Sequence, residues 1–237
     1  MADPAVSPTE IARFDALAQE WWNPNGPMRA LHRMNGPRVD WIASQAARAF
    51  PARSGLRLLD IGSGAGIAAE ALARRGFEVL GIDPAGETIA AARAHAAGKG
   101  LPLDYRVGMI EALSTEGARF PIITALEVIE HVPDPGAFLA ELAVLCEPGG
   151  LVVLSTLNRT ARSFAAAKIG AEYLLRWLPV GTHDWRRFLQ PAELVALAGE
   201  AGLGVTATAG LSWDAWSGAW RIGRDLSINY LAALRAR

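Results

Sequence analysis

The chain of 237 residues is 51% hydrophobic, and its 23 Lys and Arg nearly cancel its 24 Asp and Glu, leaving a formal net charge of -1. Such a chain can bury one substantial core, and its charge balance excludes a global field that would draw it to nucleic acid. Cys146 is the only cysteine, which excludes a disulfide framework and a Cys-rich zinc site and suits a reducing compartment.

The opening "MADPAVSPTEIARF" has neither the apolar run of a secretory signal nor an Arg-rich transit pattern. Nowhere is there a run of roughly 20 apolar residues that could span a bilayer, so a cytoplasmic protein is expected. Residues 1–50 read as a helical N-terminal extension. It carries Trp21, Trp22 and Trp41 between "NPNGP" and "NGP" turns, and is expected to pack over the rest as a lid. Residues 56–61, "LRLLDI", form a strand that stops at "GSGAG"; the helix "IAAEALARRG" follows and ends at Gly76. "FEVLGID" and "PAGETIAAARAHAAGKG" repeat strand and helix. "LDYRVGM" and "FPIITALEVI" are further strands, "DPGAFLAELAVLCEPGG" a helix and turn, and "LVVLSTLN" a fifth strand. Consecutive strand and helix units predict a parallel α/β sheet with right-handed crossovers, its core spanning about residues 55–158. "RSFAAAKIGAEYLLRWLP" and "QPAELVALAGEAGL" read as helices, and "GVTATAGL" and "INYLAAL" as strands that complete the sheet. No linker-like stretch interrupts residues 51–237, so they and the extension form one structural unit.

Gly62, Gly64 and Gly66 sit between the first strand and its helix, where missing side chains allow a tight turn and let a ligand approach backbone N–H groups. Asp83 ends the second strand, 21 positions after Gly62, where an acid can bind the two hydroxyls of a ribose. Ile67 stands where the dinucleotide fingerprint requires a small residue, which disfavours a nicotinamide oxidoreductase. S-adenosylmethionine fits better, with the loop N–H groups facing the carboxylate of its amino-acid end.

"LLDIGSGAGIAAEAL", "GIDPAG", "EVIEHVPDP" and "EPGG" together resemble the class I S-adenosylmethionine-dependent methyltransferases. The resemblance narrows with "FDALAQEWWNPNGPMRALHRMNGPRVDWI", "STLNRT", "GAEYLLRWLPVGTHDW" and "PAELVAL", which are similar to the UbiG family of ubiquinone-biosynthesis O-methyltransferases over residues 8–232. It implies a Rossmann-like sheet of seven strands, with residues 51–237 as the methyltransferase domain. The implied activity is methylation of phenolic hydroxyls on polyprenylated catechol intermediates, 2-polyprenyl-6-hydroxyphenol and 3-demethylubiquinol. Implied cofactor contacts are Arg38, Gly62, Asp83 and Leu126. The chain departs from the family at Ser63, usually Cys, at Leu126, often Met, and at Pro121 and Ile122, where an Asp tends to start the fourth strand. A proline there belongs at a strand's first residue.

Glu127, Glu130 and His131 follow that strand at the carboxyl edge, where open α/β sheets place ligands. Spaced i, i+3 and i+4, they would share one side of a helical turn. Such a set can hold one divalent cation or surround one substrate hydroxyl, and a phenol becomes a better nucleophile when a cation or base takes its proton. Metal ligation by all three, His131 as a metal-free base, and a structural role are the three readings. The resemblance implies Mg2+, although an imidazole would equally suit another divalent cation. Asp134 before Pro135 reads as a helix N-cap.

A prenylated substrate implies contact with membrane lipid at the inner face of the membrane, and other ubiquinone-synthesis enzymes are candidate partners. Lys168, Glu172 and Arg176, with Phe164, Ile169, Leu175, Trp177 and Leu178 on other sides, suit either an interfacial helix or an ordinary amphipathic one. Thr156, Asn158, His183 and Asp184 are further candidates for substrate contact. His32 and His95 have no evident partner, and Trp213, Trp216 and Trp220 read as core. The alternatives are a methyltransferase of another small phenol and a non-catalytic lipid-binding subunit of a quinone-synthesis assembly.

Overall fold

In the computed structural model, which describes residues 8–164, 185–214, 216 and 218–237, the chain opens with α1 (Pro8–Ala16), a single 3-10 turn (Ala18–Glu20) and the long α2 (Arg29–Ala49). Strands and helices then alternate as β1 (Arg57–Ile61), α3 (Ile67–Ala73), β2 (Glu78–Asp83), α4 (Gly86–Ala96), β3 (Leu103–Val107) and α5 (Ile110–Thr115). The second half runs β4 (Phe120–Leu126), α6 (Pro135–Leu145), β5 (Cys146–Leu157) and the short α7 (Ala161–Ser163). After a 3-10 turn (Trp185–Arg187) come α8 (Pro191–Glu200), β6 (Leu203–Asp214), β7 (Ala219–Gly223) and β8 (Asn229–Ala236).

The strands form one sheet in the order β3-β2-β1-β4-β5-β8-β6-β7, parallel from β3 to β5 and antiparallel beyond. Strand alternation makes both faces apolar. Leu58, Ile122, Val153 and Ala233 point into a core shared with α2, α3 and α4, while Leu59, Ile123, Val152 and Ala232 point into one shared with α5, α6 and α8. Helices therefore cover both sides, as expected. The sheet has eight strands where seven are expected, because β7 forms a hairpin with β6 at the edge. Its five residues alternate too briefly to be read from sequence, and Trp220 and Ile222, packed against the α2 core, supply its only buried face.

The extension divides into two parts. Val39, Ile42 and Ala46 of α2 are buried with Leu58 and Ile122, so α2 is a core helix; among the described residues of the extension, α1 and the 3-10 turn lie over the carboxyl edge of the sheet. The expected "NGP" turn is overturned, since α2 runs through Asn35, Gly36 and Pro37. Burial of Met34, Arg38 and Val39 outweighs the hydrogen bond that Pro37 cannot donate. Pro121 is the second residue of β4, not its first. It sits at an irregularity where Phe120 faces Cys146 but Ile122 already faces Leu151, an interruption that tolerates the missing N–H. The helix expected from "RSFAAAKIGAEYLLRWLP" falls, after Phe164, outside the described residues.

Candidate functional site

Between β1 and α3 the chain turns through Gly62, Gly64 and Gly66, whose φ values of 65°, 53° and 88° are left-handed. The turn is anchored from β2. The N–H groups of Gly62 and Ser63 donate to the Ile82 carbonyl at 2.9 and 3.2 Å, and the Gly64 N–H donates to Asp83 Oδ2 at 2.9 Å. Asp83 Oδ1 accepts from the Ala85 N–H at 2.9 Å, so this carboxylate clamps the loop as well as facing the edge. Burial raises its pKa, and the two backbone N–H groups pull it back. A β-carbon at Gly62 would stand 2.5 Å from Val128 Cγ2, and one at Gly64 would overlap the Trp21 indole. The glycines thus admit neighbours from two other segments as well as making the turn.

Beneath the loop lies a buried polar patch. Asp60 Oδ1 accepts from Thr124 Oγ1 at 2.7 Å, while Asp60 Oδ2, Arg38 Nε, Ser63 Oγ, Tyr105 Oη and Trp21 Nε1 are buried without a hydrogen-bond partner among the described residues. Orphaned buried polar atoms are costly, so a cluster of them marks a place built for a polar occupant. Burial lowers the pKa of Arg38, while Glu127 and Asp60 raise it. Burial pushes the Asp60 carboxyl up to about 6, with Thr124 and Arg38 opposing. A buried cation and a buried acid match the carboxylate and ammonium of an amino-acid zwitterion. Arg38 was expected here from the resemblance and Trp21 only as part of a lid, while Asp60 and Tyr105 are additions from the structure. The available signal was an acid inside the otherwise apolar strand "LRLLDI".

Leu126 ends β4 in register with Ser155. Glu127 then takes a left-handed backbone, φ 58°, which breaks the single helical turn expected for the acid and histidine set. Its N–H donates to the Ser155 carbonyl at 3.0 Å, and Ser155 Oγ donates back to Glu127 Oε1 at 2.7 Å. Glu130 is buried, with Oε2 accepting from Thr156 Oγ1 at 2.8 Å and Oε1 without a partner. Its carboxyl is pushed up to about 8, first by burial, then by Glu127, with His131 opposing. The half-buried His131 donates its N–H to the Val128 carbonyl at 2.9 Å, and its ring meets Phe14 edge-on with centroids 6.3 Å apart.

As they stand, the three residues do not fit a three-ligand metal centre. Among the described residues no group of three or more His, Cys, Asp or Glu comes together to hold an ion. Ser155 already engages one Glu127 oxygen, and Thr156 one Glu130 oxygen.

A roof from the extension covers this edge. Asp15 Oδ1 accepts from the Glu87 and Thr88 N–H groups at 3.0 and 3.1 Å, tying α1 to the start of α4. Phe14 and Trp21 pack together over the glycine loop, and Trp22 Nε1 donates to the Ala65 carbonyl at 2.9 Å. Both histidines without an evident partner have one: His32 bonds the Trp21 carbonyl at 2.8 Å, and His95 bonds Glu70 at 2.6 Å while stacking on Trp22. Asp134 caps α6, accepting from Gly136 and Ala137 N–H groups at 2.8 and 3.0 Å. Thr156 serves Glu130, and Asn158 closes the turn to β8 through the Leu226 carbonyl at 2.8 Å. His183 and Asp184 lie outside the described residues.

A protein-family profile described as a methyltransferase domain matches residues 30–208. A ubiquinone biosynthesis O-methyltransferase from Azorhizobium caulinodans is 46% identical over 236 residues, covering 97% of this chain and 93% of that protein. One of the same name from Methylobacterium nodulans is 47% identical, covering 97% and 95%. Among solved structures, magnesium protoporphyrin IX methyltransferase from Synechocystis PCC 6803 with bound SAH shares the fold, with a TM-score of 0.67 at 17% identity, covering 97% of this chain and 99% of that one.

Proposed function

Since the chain belongs to the family of ubiquinone biosynthesis O-methyltransferases, we propose that it uses S-adenosylmethionine to methylate phenolic hydroxyls of polyprenylated catechol intermediates, 2-polyprenyl-6-hydroxyphenol and 3-demethylubiquinol. One observation carries the chemical reading. The glycine loop and the Glu127–His131 segment touch through Gly62 and Val128, so the cofactor loop and the proton-handling groups share one edge of the sheet.

When bound, S-adenosylmethionine supplies an electrophilic sulfonium methyl. The Gly62, Gly64 and Gly66 backbone and Arg38 hold its amino-acid end, with Asp60 facing the ammonium. Each Asp83 oxygen already accepts one backbone N–H and can accept another donor, which leaves capacity for the ribose hydroxyls. Leu126 adds an apolar wall. Glu130 is buried and bonded to Thr156, whereas His131 is half-buried at the same edge, so the imidazole of His131 is the group that takes the phenolic proton, leaving the oxygen as nucleophile. Because the substrate carries a prenyl tail, the protein works at a membrane surface; among the described residues no helix is long and apolar enough to cross a membrane.

The test is transfer of labelled methyl from S-adenosylmethionine to a short-chain prenylated catechol, with and without chelator, in the wild type and His131→Gln. We expect indifference to chelator and a loss of turnover in the variant on the order of 10²-fold or more, with cofactor affinity little changed. Activity lost to chelator and restored by Mg2+ would replace the base with a metal held by Glu127, Glu130 and His131. Cofactor binding without transfer to any catechol would point to a different small phenol.

A further inference from the structure

A base works when its ring points at the proton it takes, and the backbone around His131 does not fix that direction. Strand β4 ends at Leu126, Glu127 is left-handed, and residues 127–133 form turns and bends rather than a helix. The N–H bond from His131 to the Val128 carbonyl places its α-carbon, but a half-buried side chain on such a turn has several staggered rotamers open to it. What packs beside the ring decides among them.

Phe14, near the end of α1, packs there. Its ring meets the imidazole edge-on, with centroids 6.3 Å apart and planes at 83°, a geometry that aromatic pairs prefer. Phe14 is itself held from two sides. The adjacent Asp15 accepts the Glu87 and Thr88 N–H groups and, at 3.4 Å, the Thr88 hydroxyl, and the Phe14 ring leans on Trp21, which stands against Gly64. Val128, three residues before His131, fills the space beside Gly62. The stretch from Val128 to His131 therefore touches the cofactor loop at one end and the roof at the other.

We propose that Phe14 is a positioning residue for methyl transfer: its ring holds the His131 imidazole in the orientation that meets the reacting hydroxyl, so the N-terminal extension takes part in the proton step as well as enclosing the cofactor. The inference rests on the functional reading above for what His131 does, but not for the packing of the two rings. The roof then has two separable tasks, with Trp21 serving cofactor binding and Phe14 serving turnover.

The experiment is a double-mutant cycle in the full-length chain: wild type, Phe14→Leu, His131→Gln and both together, with Phe14→Tyr as the conservative variant. Leucine keeps apolar bulk without a ring, and tyrosine restores the ring. Phe14 packs on the small Trp21 cluster and on neither sheet core, so these changes leave the fold in place. Methyl transfer to a short-chain prenylated catechol is measured with and without chelator. Phe14→Leu should lower kcat on the order of tenfold with the KM for S-adenosylmethionine little changed. Phe14→Tyr should recover most of that loss, and Phe14→Leu should cost nothing further once His131 is replaced. Imidazole NMR with bound S-adenosylhomocysteine gives a readout independent of turnover. Phe14→Leu should move the His131 ring signals, identified by their absence in His131→Gln, and leave those of His32 and His95 in place.

An equal loss from Phe14→Leu in both backgrounds would overturn the proposal, since Phe14 would then act without His131. So would an unchanged kcat or unmoved His131 signals, and either result leaves the functional reading standing. A Phe14→Leu effect that vanishes in the His131→Gln background, in an enzyme that chelator inactivates, would support the positioning and refute His131 as the base alone. Full turnover in His131→Gln would refute both.

Discussion

Asp60 shows how one residue can serve a ligand at the fold's expense. Its folded pKa rises from 3.8 to about 6, mainly through burial. The folded state therefore binds the proton more tightly than the unfolded chain. The stability this residue contributes is complete below its ordinary value and is lost as pH rises through about 6, a change of roughly 3 kcal/mol. Asparagine can still accept from Thr124 and is never charged. Asp60→Asn without cofactor should therefore gain stability relative to wild type between about pH 4 and 6 and hold that gain above, while losing affinity for S-adenosylmethionine. Urea unfolding across that pH range, with calorimetric titration of the cofactor, checks both halves. Sequence reading reached the glycines and Asp83 because their spacing is itself a pattern, and Arg38 through the family resemblance. Asp60 looks like one more strand residue until burial and an unpartnered Oδ2 single it out.

At the scale of elements, alternating strand and helix patterns made the sheet from β1 to β5 legible, together with the Asp134 cap. What escaped depends on contacts distant in sequence. Pro37 looks like a stop, yet α2 continues because its apolar face has a sheet to cover; the left-handed Glu127 is held by Ser155, 28 positions away. The roof is similar: α1 and the 3-10 turn are anchored by Asp15 on α4 and by Trp21 against Gly64. Trp21→Ala should cost about 3 kcal/mol in folding stability and raise the KM for S-adenosylmethionine more than it lowers kcat, since the indole borders the cofactor loop and does not handle the proton. Thermal unfolding and steady-state kinetics check this, and a kcat defect at unchanged KM would refute the assignment.

For the molecule as a whole, both hydrophobic cores share one sheet, and α2, β1 and β4 contribute to the same core. Calorimetry should therefore record a single transition whose calorimetric and van't Hoff enthalpies agree, whereas a separately melting 1–50 extension would give two. The central place of β8 bears on how the chain is made. Strand β5 ends at Leu157, and its neighbour β8 does not begin until Asn229; β6, complete at Asp214, waits for the same partner. During synthesis both strands leave the ribosome with bare backbone edges, and they stay bare until the strand between them arrives. A stalled ribosome or a stop codon in that interval would release two open templates for pairing with other chains, making the stretch between Asp214 and Asn229 the one where interrupted translation leads most directly to aggregation.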